Sequence, residues 1–358
     1  MKRSYKIAFL LPFLESQGGV TVSVRTIGDY LSRLGHEVHY FPIGKTQTAP
    51  SNFIHPINTN SKHKQENLLR SIFHELDKTK PFDLVISNHL VGNYLLDGLD
   101  VGERNMIILR QPSLLKRKNM FSRFKKYLTY PKIYNNKNIV AISKCLLEDF
   151  LQRYDYIHPK SSRVIYNAFD ATTLQQKADE AITTPCENYI INVGRFTKTK
   201  NQALLIEAFA RIKNKEIALV LLGEGKEEKR YRELVRQKGL QDRVHFVSWQ
   251  KNPYAWIKKA KLLVHTSRSE TFGRVILEGL ALDTPVICTD IKCGPNEILT
   301  GKLASYLVPD NDLDALVQTI DKALDYYPEI TQKDLEKFQI ANIAQRYIDF
   351  IDGLKQRG

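Results

Sequence analysis

The chain has 358 residues and no run of about 20 apolar ones, so nothing in it reads as a membrane span. It has only four cysteines, Cys145, Cys186, Cys288 and Cys293, with no Cys-x-x-Cys pair and no regular framework. That excludes a disulfide-stapled scaffold, and a reducing, cytoplasmic setting is the simplest expectation. Cys288 and Cys293 have no His/Cys cluster beside them, so no metal site is expected. There is no P-loop, no His-Glu-x-x-His and no Ser-His-Asp order; the nine histidines stand singly and read as structural or surface residues. Acid is also missing from one long stretch. Between Arg104 and Lys144 there is no Asp or Glu, against eleven Lys or Arg.

What is present is ordinary for a soluble globular protein: 42% hydrophobic and 26% charged residues, in a chain long enough for two domains. The net charge is +14. Residues 1–180 hold 26 basic against 16 acidic residues, and the remainder 27 against 23, so the excess lies in the first half. A solvated surface explains part of it. The acid-free stretch suggests an anionic partner: membrane phospholipid, phosphorylated glycan or nucleic acid. No nucleic-acid module is recognisable. The start, Lys2-Arg3 followed by the apolar Ile7–Leu14, imitates a signal peptide. Pro12 breaks that run and Glu15 follows without a small-residue cleavage site, so a buried first strand is expected.

Strands and helices alternate along the chain. Strands are expected at 6–13, 36–41, 83–87, 105–109, 138–142 and 163–166, then at 189–193, 217–222, 243–247, 261–265, 284–288 and 305–308. Val24, Ile27, Leu31 and Leu34 mark one face of a helix over 20–34, which Gly35 ends. Near-continuous apolar strands separated by helices imply parallel sheets. The polar segment 173–187, with Pro185, reads as a linker. The expected domains are 1–172, joined by a final helix over about 336–358, and 188–335.

Four features fall at expected strand ends, where ligands bind in such sheets. Gly18-Gly19 lets backbone approach a ligand, or makes a plain turn. Arg195 and Lys200 flank a helix start after strand 189–193, which suits a diphosphate; a solvated loop is the alternative. Glu270 and Glu278, with seven residues between them, sit in a strand–loop–helix unit around Phe272-Gly273. They either hold hydroxyl groups beside a bound phosphate or are two surface acids. Last, Met120, Phe121, Phe124, Tyr127 and Leu128 share a helical face, with Arg123 and Lys126 opposite and Lys118 and Lys125 at the flanks. That is the layout of an interfacial helix on an anionic membrane, or of a helix packed on the core.

In this order these residues resemble glycosyltransferase family 4, the retaining nucleotide-sugar enzymes of GT-B fold. The resemblance covers nearly the whole chain. It runs from Gly18-Gly19 and Gly35–Val38, through Val140–Ser143 and Val164–Asp170, to Val193–Phe196 with Lys200–Gln202, and to Glu270-x7-Glu278 with Thr284–Ile287. Cys293–Ile298 resembles a variant found among bacterial lipopolysaccharide and capsule enzymes.

The resemblance implies two Rossmann-like α/β domains facing a central cleft. Arg195 and Lys200 would bind the donor diphosphate and Glu270 the donor sugar. Backbone N–H groups of Thr271, Phe272 and Gly273 would support sugar and phosphates. Glu278 would hold the ribose, the base would lie near Val247–Trp249, and Gly19 would approach the phosphate. The implied reaction moves a hexose from a nucleoside diphosphate sugar, UDP-linked by expectation, to a lipopolysaccharide core or another lipid-linked glycan. Neither cofactor nor metal is implied. Lys118, Phe121, Arg123, Phe124, Lys125 and Lys126 would seat the protein on the inner membrane face. A sugar-nucleotide epimerase of the same architecture is the alternative. The chain departs from the family at Thr271 and Asp283, where glycine is usual. It departs again after strand 105–109, where Arg110 or Gln111 stands in place of a common His.

Overall fold

Burial on both faces makes parallel strands apolar throughout, and all six residues of Lys6–Leu11 are buried. In a computed structural model of the chain, residues 3–15, 18–44, 47–59, 61–110 and 120–356 are described, with side chains for all but residues 62 and 120–125. They divide into two units, one of Met1–Ala168 with Ile340–Gly358, the other of Phe169–Gln339.

The first unit is built on β1 (Lys6–Leu11), β2 (Glu37–Pro42), β3 (Leu84–Ser87), β4 (Asn105–Leu109), β5 (Asn138–Ala141) and β6 (Ser161–Val164). All pair in parallel, in the order β2-β1-β3-β4-β5-β6. Strand β6 lies two residues earlier than the apolar run suggested, because its register pairs Asn138 with Ser161 and Ala141 with Val164. The helix Gly19–Arg33 buries Val24, Ile27 and Leu31. Leu34, expected on that face, is its C-cap and is exposed, and Gly35 follows at φ +90°. The final helix, Ile340–Lys355, belongs to this unit. It buries Ile343, Tyr347, Phe350 and Ile351. Its Asp352 accepts a hydrogen bond from Tyr5, Lys355 Nζ lies 2.6 Å from Asp83 Oδ1, and Phe350 carries the Arg163 guanidinium at 4.5 Å.

The second unit holds β7 (Tyr189–Val193), β8 (Ala218–Leu222), β9 (Val244–Val247), β10 (Leu262–His265), β11 (Val286–Asp290) and β12 (Leu307–Pro309). They too are all parallel, in the order β12-β11-β10-β7-β8-β9. The chain leaves β7 toward β8 and β9 on one side, then returns to place β10 on the other. This reversal opens a crevice at the carboxyl ends of β7 and β10, the usual ligand position in open α/β sheets. In the first unit the reversal falls between β1 and β3.

The expected linker is not a bare connection. Ala171–Ala178 is a helix whose N-cap Asp170 accepts from Thr173 N, and it buries Leu174 and Ala178. It meets the helix Tyr254–Lys259, Lys258 pairs with Asp179 at 2.7 Å, and Asn252 Nδ2 donates to Lys177 O. These contacts draw the segment into the second unit, whose boundary falls at Phe169 rather than near 188. The sequence reading also passed over the helix Leu90–Leu96.

Candidate active site

The loop after β7 runs over the end of β8. Gly194 N donates to Leu222 O, Phe196 N donates to Glu224 O, and Phe196 is fully buried. A Cβ on Gly223 would stand 2.1 Å from Gly194 O, so the two backbones touch where only glycine fits. Gly223 N in turn donates to Val247 O at the end of β9. The loop therefore starts at a fixed height above the sheet. Arg195 stands exposed on it, with its carbonyl held by Gln202 Nε2. Asn201, at φ +52°, turns the chain into the helix Gln202–Arg211.

The loop after β10 is stitched to the loop after β7. Thr266 Oγ1 donates to Lys200 O at 3.2 Å and to Asn201 O at 3.0 Å. Ser267 Oγ and Arg268 N both donate to Thr199 O. With the backbones joined, Lys200 Nζ reaches Glu270 Oε1 in a partly buried ion pair. The same oxygen accepts from His265 Nε2 at 2.9 Å. His265 is buried on β10, and burial lowers its pKa, so the neutral ring donates through Nε2–H. Burial alone would raise the Glu270 carboxyl. The His265 hydrogen bond and the Lys200 charge outweigh it and hold the group down at about 2.

Thr271, Phe272 and Gly273 follow. Phe272 is buried, edge-on to Phe338 at 5.6 Å. Gly273 caps the helix Arg274–Ala281 at φ +94°, a backbone that side chains disfavour. The short turn sets the start of that helix beside Glu270. One turn into it, Glu278 Oε1 accepts from the Arg274 guanidinium at 2.7 Å, with the Tyr254 hydroxyl at 3.5 Å. Glu278 is thus ion-paired within its own helix, a partner the sequence reading missed. His265 was missed too, because a histidine at a strand end carries no mark of what it will face. Gly223-x-Gly225 was a visible signal that went unused.

The structure brings Lys200 and Glu270 together, with Arg195 on the same loop as Lys200. Glu278 lies one turn beyond Arg274, and Val247 is two strands from β7. Gly18 and Gly19 are exposed in the first unit, where Gly18 is the N-cap of the helix Gly19–Arg33 at φ −63°, so no left-handed backbone is needed there. Lys118 and Gln111 lie outside the described residues. Phe121, Arg123, Phe124 and Lys125 fall in the helix Met120–Tyr134, but their side chains are outside those described. Lys126 departs from its expected polar face. Its Nζ donates to the Tyr154 hydroxyl at 2.7 Å and lies over the Tyr130 and Tyr154 rings. Tyr127 and Leu128 beside it are more than half exposed.

As a chemical device, the second unit offers cations, backbone N–H groups and a buried carboxylate at a topological switch point. That combination suits a phosphorylated, hydroxyl-rich ligand. The family model described as glycosyl transferases group 1 matches residues 175–339. Over 263 residues the chain is 32% identical to N-acetylgalactosamine-N,N'-diacetylbacillosaminyl-diphospho-undecaprenol 4-alpha-N-acetylgalactosaminyltransferase of Campylobacter jejuni, covering 69% of this chain and 70% of that one. It is 31% identical over 163 residues to the lipopolysaccharide core biosynthesis glycosyltransferase LpsD of Rhizobium meliloti, covering 45% and 47%. Among solved structures, Anabaena Alr3699/HepE in complex with UDP and glucose superposes with a TM-score of 0.74 at 17% identity, over 98% of this chain and all of that one. The chain therefore belongs to the group 1 glycosyltransferases and has their GT-B fold.

Proposed function

We propose that this glycosyltransferase is a retaining, metal-independent enzyme that moves a hexose from a UDP-sugar to a lipid-linked or lipopolysaccharide core glycan. The observation that carries the reading is the Lys200–Glu270–His265 cluster at the β7/β10 crevice. In this reading Arg195 and Lys200 meet the charge that develops on the leaving diphosphate. Glu270 accepts from donor-sugar hydroxyls, and Glu278 from the ribose. The acceptor hydroxyl bonds to the anomeric carbon as the bond from that carbon to the diphosphate breaks. The proton passes to the departing phosphate oxygen on the same face, so no protein base is required. The positive charge comes from side chains and backbone, so activity is expected to survive a chelator. Support for the donor and acceptor comes from the HepE complex with UDP and from the names of the Campylobacter and Rhizobium relatives. Nothing in these likenesses favours an epimerase.

Replacing Arg195 or Lys200 with Ala is expected to lower turnover by roughly 10²–10³-fold, as for loss of one stabilising donor of transition-state charge. Turnover is read first as slow hydrolysis across a panel of nucleotide sugars, including UDP-sugars. Near-normal rates in both variants would sink the assignment.

We also propose that the acid-free stretch seats the protein on an anionic membrane surface. Among the described residues no helix is long and apolar enough to cross a membrane. Tyr127 and Leu128 offer exposed apolar contact, and the preceding Lys and Arg residues offer charge. Phosphatidylglycerol vesicles should retain the protein at low salt. Arg123→Glu with Lys125→Glu should release it, and continued sedimentation of that variant would rule the stretch out as the anchor.

A further inference from the structure

The first unit holds a polar pocket that the proposed donor chemistry does not use. It lies at the carboxyl ends of β3 and β4, beside the sheet's own reversal point, and its volume is about 10 Å³, room for one water-sized group. Asn88, His89, Asn93, Arg110 and Tyr134 line it. Asn88 is 1% exposed and Arg110 is 9% exposed.

The chemistry of the pair fixes the direction of the Asn88 amide. Arg110 Nε donates to Asn88 Oδ1 at 3.2 Å, and Arg110 also donates to Asn167 Oδ1. A guanidinium can only donate, so the Asn88 oxygen must be the atom facing it. The Nδ2 group is then turned away, buried, and without a hydrogen-bond partner among the described residues. A buried donor left unmet is destabilising, so the site favours an acceptor there. His89 Nδ1 accepts from Val91 N at 3.3 Å, so the neutral ring carries its proton on Nε2 and is a second donor at the lining.

We infer that this pocket receives one terminal oxygen of an anionic group, phosphoryl or carboxylate, carried by the acceptor. Asn88 Nδ2, the Arg110 guanidinium and the His89 ring all donate there. An oxyanion oxygen only accepts, so each hydrogen at the lining can point at it. A hydroxyl would arrive with a proton of its own to place. Oxyanion binding stands on the pocket alone; its use for the acceptor rests on the transferase reading above.

The discriminating variant is Asn88→Asp. It keeps an oxygen for Arg110 and replaces the Nδ2 donor with a second, negatively charged oxygen. Thermal melts are compared for wild type and variant with inorganic phosphate and with formate, which separate phosphoryl from carboxylate. Any anion site in the second unit is common to both proteins and cancels. The apparent affinity for the preferred anion should fall roughly 10–100-fold in the variant, the scale of one hydrogen bond to a charged group, while the melt without anion is unchanged or higher. An equal anion response in the two proteins overturns the inference. Should Asn88→Asp fail to fold, Asn88→Ala removes the donor without adding charge and is read the same way. Crystals soaked in selenate should show selenium beside Asn88, and water alone there overturns the inference. Nucleotide-sugar hydrolysis keeps the two readings apart. Anion binding that depends on Asn88, without hydrolysis, counts against the transferase assignment; hydrolysis without such binding counts against the pocket.

Discussion

His265 and Lys200 deliver two hydrogens to one oxygen of Glu270, and under the proposed function Oε2 is the oxygen that accepts from a donor-sugar hydroxyl. The same arrangement makes acid stability a report on the site. Glu270 sits at about 2 in the fold against an ordinary 4.5. A carboxylate held low in the fold stabilises it above the ordinary value, and that contribution is lost as pH falls through the folded value. His265 is held low by burial, so protonation opposes the fold below its ordinary 6.5. The two effects share a sign. Stability of the second unit should fall on acidification from about pH 6.5, and again between about pH 4.5 and 2. His265→Leu should abolish the first loss and raise the Glu270 pKa, bringing an acid limb in kcat/KM up to about pH 4–5. His265→Gln, with an amide donor, should keep the wild-type profile. Denaturant titrations at stepped pH, paired with pH–rate curves, provide the check. Identical profiles for wild type and the Leu variant would show that His265 does not set the carboxylate.

At the level of elements, the loop after β7 is placed by backbone pressed on backbone at Gly194 and Gly223. Gly223→Ala should cost roughly 2 kcal/mol, within the range for overpacking, and should also lower turnover because Arg195 and Lys200 shift with the loop. A urea midpoint unchanged from wild type would mean the loop adapts without strain. The strands themselves were legible. All twelve were expected near their observed positions, because strands buried on both faces read as apolar runs whatever packs on them. The misses were short or polar helices. Leu90–Leu96 has only seven residues and contains Gly92, and Ala171–Ala178 buries just Leu174 and Ala178, so neither leaves a periodic apolar stripe. At the site, Lys200 and Glu270 could be named from their place at strand ends. Their pairing, the His265 donor and the Arg274 clamp on Glu278 depend on which loops are tied together, and that is set by Thr266, Ser267 and the sheet order rather than by local sequence.

For the molecule as a whole, the first unit is discontinuous in sequence. Its sheet comes from residues before Ala168, yet Ile343, Tyr347, Phe350 and Ile351 of the final helix are part of its interior. Ending the chain after Gln339 should therefore expose apolar surface on the first unit and leave the second unit folded. Limited proteolysis of that truncation should spare a fragment near 169–339 and digest the rest. A truncated protein as resistant as the full chain would show the helix to be dispensable. There is a consequence in time as well. Units ordinarily mature in the order in which they leave the ribosome, but here the earlier one waits for the last segment. At about 5–20 residues per second, translation of residues 169–358 takes roughly ten to forty seconds. For that interval the nascent sheet lacks its closing piece, while the later-made unit can finish first.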